Sequence, residues 1–258
     1  MIARRRPPFE LKTPAQLDLM REAGLVVART LSVLAEAIAP GVTTADLDKL
    51  AEASIRSAGA VPSFLGYQGY PATICTSVND EVVHAIPSPD RVLSEGDLIS
   101  IDCGAIMDGW HGDAAVTVGV GTIADEHARL IEACEGALRA GIGAAWPGGR
   151  LGDISHAVEQ ACSGYGVVLG YTGHGIGTAM HMDPAVPNYG RPGRGPRLVP
   201  GMALAIEPML TLGTRETAVL ADDWTVITAD GSWAAHFEHT IAITPEGPRI
   251  LTAPPPAP

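Results

Sequence analysis

Beyond residue 12 the apolar residues recur at roughly helical spacing. Thr13-Pro14-Ala15-Gln16 starts a helix: Thr13 can cap it, Pro14 suits the first helical position, and Gln16 can complete a capping box. Leu17, Met20, Leu25, Val27, Leu31, Leu34 and Ile38 follow on one face until Pro40-Gly41 stops the helix. A second helix begins at Thr43 or Thr44, carries Leu47, Leu50, Ala51 and Ile55, and closes at Gly59. The same plan returns 107 residues later. Pro147-Gly148 matches Pro40-Gly41, and Ile154, Ala157, Cys162 and Gly166 match Leu47, Leu50, Ile55 and Gly59. Leu130, Ile131, Cys134 and Leu138 mark the helix before it, near residues 126–145. Two readings follow: a duplication into two halves, or two helix pairs that happen to share Pro-Gly breakers. Two matching halves would place a site at their junction, where clefts form.

Between and after the helix pairs the pattern turns to short apolar runs. The sharpest is residues 98–118, where two such runs flank Asp108-Gly109, a strong hairpin turn. With that turn Met107 faces Trp110, Asp102 opposes Ala115 and Asp113 opposes Gly104. Asp102 and Asp113 then lie diagonally on one face, roughly 7 Å apart between backbones. Such a pair is either solvated on an outer face, or is buried around a shared hard cation that relieves its repulsion. Residues 64–71 form a Gly-rich aromatic loop containing Phe64, Tyr67, Gln68 and Tyr70. Residues 72–77 and 82–86 read as strands around Asn79-Asp80, with Cys75 in the first and His84 in the second. Residues 169–178 are Gly-rich around His174, and residues 188–200 read as a Gly-Pro-Arg surface loop. Residues 202–212 read as one buried strand carrying Glu207, 224–228 as a short strand beginning at Trp224, and 233–243 as a strand carrying Glu238. The stretch 252–258 reads as a proline-rich tail.

At 258 residues and 46% hydrophobic the chain can bury a sizeable core as a single α/β domain. Its net charge of −12 argues against a nucleic-acid partner, which needs a basic face. An aromatic content of 5% argues against a broad base-stacking surface. Cys75, Cys103, Cys134 and Cys162 form no CxxC pair, which excludes a zinc knuckle and predicts reduced thiols in the cytoplasm. No apolar run approaches the ~18 residues of a membrane span. The basic start lacks the apolar stretch of a secretory signal, and residues 4–6 read as a solvated tail.

Candidate chemistry lies in five residues set in apolar or Gly-rich surroundings: Asp102, Asp113, His174, Glu207 and Glu238. Taken one at a time, each has an ordinary explanation as a solvated acid or a hydrogen-bonded histidine. Together they make a carboxylate-rich set with one imidazole, which suits two divalent ions such as manganese, iron, cobalt or zinc. Four carboxylates balance two dications, and two such ions can activate a water and stabilise a tetrahedral oxyanion. His84 and His181 are candidates for proton and hydrogen-bond work beside them.

Val78-Asn79-Asp80-Glu81-Val82-Val83-His84, Ile101-Asp102 through Gly112-Asp113, Gly173-His174-Gly175-Ile176-Gly177, Ile206-Glu207-Pro208-Met209 and Glu238-His239-Thr240 together resemble the type I methionine aminopeptidases. The resemblance spans residues 12–244, with all five motifs in order. It implies the α/β (α+β) pita-bread fold, with two pseudo-symmetric halves, about 13–120 and 121–250, around a dinuclear metal site. Tails at 1–12 and 251–258 complete the expected organisation. By the same resemblance Asp102 chelates one ion, His174 and Glu207 bind the other, and Asp113 and Glu238 bridge both. His84 contacts the scissile amide, His181 stabilises the oxyanion, and Glu207 carries the proton from water to leaving amine. Phe64, Tyr67, Tyr70, Cys75 and Trp224 line the methionine pocket. The ions would be drawn from cobalt, manganese, iron(II), zinc and nickel.

The resemblance implies removal of the N-terminal methionine from nascent proteins whose second residue is small. It also implies a cytoplasmic location, the ribosome as a candidate transient partner, and no membrane or nucleic-acid substrate; monomer is the default. Phe64 stands where many members carry Cys, Gln68 where many carry His, and Met182-Asp183 replaces a frequent acidic pair. These departures bear on pocket shape and rate and remove no ligand. A prolidase or aminopeptidase P on the same fold is the rival enzyme, expected to need an extra N-terminal domain. A non-catalytic binding module on this fold is expected to have lost ligands.

Overall fold

The computed structural model describes residues 9–253. The basic residues 4–6 and the stretch 254–258 lie outside the described residues. In chain order the elements are α1 (Pro14–Ala37), α2 (Thr44–Ser57), β1 (Val61–Pro62), β2 (Ile74–Val78), β3 (Glu81–Val83), β4 (Leu98–Met107) and β5 (Trp110–Gly119). Then come α3 (Asp125–Gly143), α4 (Leu151–Ala161), β6 (Gly166–Val167), β7 (Gly173–Gly175), β8 (Met182–Val186), β9 (Ala203–Ile206) and β10 (Met209–Thr211). The last are β11 (Thr217–Val219), β12 (Val226–Thr228), β13 (Ala234–His236), β14 (Glu238–Thr244) and β15 (Gly247–Ile250).

The capping box at α1 forms as its residues predict: Gln16 N–H donates to Thr13 Oγ1, and Thr13 N–H donates to Gln16 Oε1 at 2.8 Å. Thr43 caps α2 through its hydroxyl, which accepts from Asp46 N–H at 3.1 Å. The two Pro-Gly breakers share one conformation, with φ +90° at Gly41 and +92° at Gly148. The closing glycines do not correspond. Gly59 is left-handed after α2, but after α4 that role belongs to Gly164, not Gly166. Gly166 lies in β6, where a Cβ would sit 2.3 Å from Thr211 Oγ1, so close approach is what demands glycine there.

The main sheet has nine strands, in the order β1-β4-β5-β14-β9-β7-β8, with β2 added to β4 and β15 to β14. Both helix pairs pack on one face. Leu34, Leu47 and Ile55 meet Ile99, Ile101 and Ala114 in one core, and Leu130, Leu138 and Ile154 meet Leu204, Ile206 and Ile241 in another. Strand alternation then sends Asp102, Asp113, Ala115 and Glu238 to the opposite face. The β4–β5 hairpin has the expected register: Met107 pairs with Trp110, Asp102 with Ala115 and Gly104 with Asp113. Asp108 and Gly109 have φ +49° and +79°, as a type I′ turn requires.

Four expectations change. Residues 202–212 are not one strand: β9 ends at Ile206, β10 starts at Met209, and the two belong to different sheets. Pro208, which has no N–H to donate, marks the switch. Residues 233–243 break likewise at Phe237, into β13 and β14. The pairing survives both breaks: Ile206 faces His239, and Met209 faces His236. Counting inward from either side places Glu207 opposite Glu238. His84 lies just past β3, not within a strand, with φ +62°. The expected tails also start further out. Lys12 is buried and its N–H donates to Gly201 O, while Leu251 and Thr252 are fully packed. Arg21 Nη1 donates to Leu251 O at 2.7 Å, and Thr240 N–H to Thr252 Oγ1 at 3.1 Å. Backbone groups make most of this anchorage, and composition is blind to them. Among the described residues no helix is long and apolar enough to cross a membrane.

Gly24, in the middle of α1, gives a clean test of this packing. A Cβ there would stand 2.2 Å from Leu251 O. Helix propensity alone favours Gly24→Ala by about 1 kcal/mol. Overpacking against backbone opposes it by about 1–3 kcal/mol or more. Gly24→Ala is expected to lower the urea midpoint; a raised midpoint would mean that α1 does not meet the chain end in this way.

Candidate metal centre and substrate cavity

The sheet lays the acids out in a row. Asp102 on β4 pairs with Ala115 on β5, and Ala115 pairs with Glu238 on β14. Glu207 follows across the break between β9 and β10. Asp113 stands two residues from Ala115 on the same face of β5. The small Ala115 side chain leaves the centre of this carboxylate row open. His174 enters from β7, paired with Ala205. Its flanking glycines permit close packing on both sides, since a Cβ at Gly173 would stand 2.3 Å from Ala205 O, and one at Gly175 2.3 Å from Asp183 O.

Asp113, His174 and Glu238 each offer a ligand atom within 4.8 Å of the others, and all three are buried. His174 Nε2 lies 3.5 Å from Glu207 Oε1. His174 Nδ1 lies 2.9 Å from Gly175 O. A carbonyl only accepts, so Nδ1 carries the hydrogen and Nε2 presents a lone pair to the carboxylates, the form a metal ligand needs. Asp102 Oδ1, Asp113 Oδ1 and Glu238 Oε1 are buried without a hydrogen-bond partner. No Lys or Arg is among the described residues lining the cavity.

Burial raises all four carboxyls, Asp102 to about 7 and Asp113, Glu207 and Glu238 well above the usual range. For the last three, neighbouring negative charge adds to burial. Burial also lowers His84 and His174 to about 4, and lowers His181, so the imidazoles are neutral at pH 7. Orphaned oxygens, mutual repulsion and neutral imidazoles fit divalent cations in both charge and donor type.

The row opens into a cavity of about 180 Å³. It is lined by every residue the sequence singled out: Asp102, Asp113, His174, Glu207 and Glu238, His84 and His181, and Phe64, Tyr67, Tyr70, Cys75 and Trp224. Phe64 packs on Gly104, where a Cβ would stand 2.7 Å from its ring. Tyr70 is fixed by a hydroxyl that donates to Ile74 O at 3.0 Å and Ala85 O at 3.1 Å. The Trp224 ring meets Tyr70 edge-on, with centroids 5.0 Å apart.

Residues 18–245 match the model of metallopeptidase family M24. The chain belongs to metallopeptidase family M24. Within it, methionine aminopeptidase 1 of Mycobacterium tuberculosis is 57% identical over 249 residues, covering 93% of this chain and 94% of that one. The crystal structure of methionine aminopeptidase from Thermotoga maritima superposes with a TM-score of 0.94 at 43% identity, covering 95% of this chain and 100% of that one. A Xaa-Pro dipeptidase from Bacillus anthracis shares the fold alone, at 24% identity and a TM-score of 0.77, and this chain covers 62% of it. The nine-stranded sheet with its two helix pairs is the pita-bread architecture of the M24 family.

Three residues of the site were not read as functional. Met180 lines the cavity one position before His181. Tyr171 meets the His84 ring edge-on at 5.8 Å. His236 is buried, its Nε2 has no hydrogen-bond partner, and it lies 3.9 Å from Glu207 Oε2. Met180 adjoins a singled-out histidine, which was the available signal. Tyr171 and His236 stand in ordinary strand and loop contexts.

The raised carboxyls carry a measurable consequence. Burial and mutual repulsion favour their protonated forms while no cation is bound, and a cation must displace the protons they hold. Zinc or manganese binding at pH 7 is expected to release protons. Titration calorimetry in buffers of different ionisation enthalpy measures it, and an identical heat in every buffer would contradict the account.

Proposed function

We propose that this cavity removes N-terminal methionine from newly made polypeptides, as a dinuclear-metal methionine aminopeptidase. The observation that carries the reading is the meeting of Asp102, Asp113, His174, Glu207 and Glu238 on one sheet face beside an aromatic pocket. Asp102 would hold one ion, His174 and Glu207 the other, and Asp113 and Glu238 both. Two divalent ions there supply Lewis acidity and a water nucleophile available at neutral pH. Glu207 would take a proton from the water and pass it to the leaving amine. His84 meets the scissile amide, and His181 donates to the developing oxyanion. The free α-amino group lies near Asp102, so the chain enters only as far as its first residue. Phe64, Tyr67, Tyr70 and Trp224 then surround the methionine thioether, a contact worth ~0.3–1.5 kcal/mol per aromatic edge. The second residue packs beside His84 and its Tyr171 neighbour, where overpacking costs about 1–3 kcal/mol or more. Four free, buried cysteines support work in a reducing compartment, the cytoplasm.

Met-Ala, Met-Gly and Met-Ser peptides are expected to lose methionine about tenfold to over a hundredfold faster than Met-Leu or Met-Arg. N-acetylated Met-Ala should not be cut. A Met-X-Gly panel assayed with cobalt, manganese and iron(II) tests this. Faster cleavage of Met-Arg, or ready cleavage of the acetylated peptide, would remove the reading. A preference for X-Pro peptides with any first residue would replace it with the aminopeptidase P alternative.

Asp113→Ala and Glu238→Ala should both lose activity and bind less metal, as shared ligands must. His84→Ala and His181→Ala should keep their metal and lose ~10²–10⁴-fold in rate. Metal content by elemental analysis, set beside turnover, separates the two classes. A Asp113→Ala protein retaining two tightly held ions would break the assignment.

A further inference from the structure

Tyr67 does more than line the pocket. It sits on a tight turn, Tyr67–Gly69, entered through Gly66 at φ +85° and carrying Gln68 at φ +48°. Four backbone bonds close this loop: Tyr67 N–H to Phe64 O at 2.8 Å, Gly69 N–H to Gly66 O at 3.3 Å, Tyr70 N–H to Tyr67 O at 2.9 Å, and Gly66 N–H to Tyr70 O at 2.8 Å. Phe64 and Tyr70, at the loop's two ends, are both buried. The Tyr67 ring is therefore held over the cavity by anchored neighbours. Its hydroxyl lies 2.8 Å from Nδ1 of His181, a residue 114 positions away. The rings are tilted at 54° with centroids 5.3 Å apart, so the contact is a directed hydrogen bond and not a stack. On its other side His181 meets the His174 ring edge-on at 4.3 Å, which further limits its rotation.

A neutral imidazole carries one hydrogen, and the partner of one nitrogen decides which nitrogen carries it. A phenol is the better donor of this pair, and an imidazole nitrogen the better acceptor. With Nδ1 accepting from Tyr67, the hydrogen sits on Nε2, the nitrogen left for a substrate. An Nε2–H can stabilise a developing oxyanion, whereas an Nε2 lone pair would repel it.

We propose that the Tyr67 hydroxyl donates to His181 Nδ1 and holds the imidazole in the tautomer whose Nε2–H faces the substrate carbonyl. This makes Tyr67 a positioning residue, and the role rests on the peptidase reading of the cavity. The phenol joins the loop that follows β1 to the loop that follows β7, and both residues line the cavity.

Two measurements test it. The first is histidine ¹⁵N NMR of the zinc-loaded enzyme, with His181 assigned by the signals lost in His181→Asn. Wild type should show His181 protonated at Nε2 and bare at Nδ1, and Tyr67→Phe should show a mixture of tautomers. The second is Met-Ala-Gly hydrolysis by wild type, Tyr67→Phe, His181→Asn and the double variant. Tyr67→Phe keeps the aromatic wall, so kcat should fall about tenfold while KM moves less than about twofold. In the His181→Asn background the same change should cost no further rate. A hydrogen on Nδ1 in wild type would overturn the proposal. So would a rise in KM at unchanged kcat, or a full tenfold loss persisting in the double variant. Wild type that releases no methionine would overturn the peptidase reading instead, and the tautomer measurement, made without substrate, would still decide the hydrogen bond.

Discussion

The site turns on an electrostatic conflict. Four carboxyls share one small, largely buried volume, with no cationic side chain among the described residues that line it. Ionised and unpaired, such groups are among the most costly things a protein can bury. Holding protons, they are tolerable but chemically idle. Divalent cations resolve the conflict in the other direction, letting all four ionise together. The rest of the site serves that choice. His174 offers its lone pair because Gly175 O occupies its hydrogen. Burial keeps the imidazoles neutral and therefore able to ligate or to donate.

The sheet meets this constraint with little material. Pleating sends the apolar half of β4 and β5 toward α1 and α2 and the acids to the far face. Ala115, in the middle of the row, keeps its centre open. Glycine does similar work at the edges. Gly104 lets Phe64 lie against the sheet, and Gly173 and Gly175 let a histidine strand fit between two neighbours. The two long strands break at Glu207-Pro208 and Phe237, facing positions of one ladder. There the chain leaves one sheet for another, and the Glu207 and Glu238 side chains are free to turn into the cavity instead of packing on a strand neighbour.

The hairpin was legible to the residue, because an Asp-Gly turn and strict alternation are local signals with one geometric solution. Both helix pairs were legible from caps and period. The ligand set was legible as acids in the wrong company, and resemblance sharpened it. The breaks in the two Glu-bearing strands were hidden by continuous apolar runs, although Pro208 was in plain view as the signal. The left-handed backbone of His84 left no trace in residue type, since a strand histidine and a turn histidine look alike. Gly166 shows the same limit. Its alignment with Gly59 was sound by spacing, yet one glycine ends a helix and the other makes room for Thr211 Oγ1. Tyr171 and His236 reach the site through tertiary packing alone.

The anchorage of Leu251 and Thr252 bears on the order in which the molecule becomes active. The first helix is completed by residues from the far end of the chain: Arg21 holds Leu251 O, and Gly24 packs on the same carbonyl. Glu238 arrives only late in synthesis, on a strand that pairs with β5, more than a hundred residues behind it. Pairings of such long range form slowly and cannot begin until both partners exist. A chain of which only the first half has emerged from the ribosome therefore holds just Asp102 and Asp113 of the five metal-site residues, without the second half to close the cavity around them. An enzyme whose substrates are unfinished chains would have to be a finished chain itself.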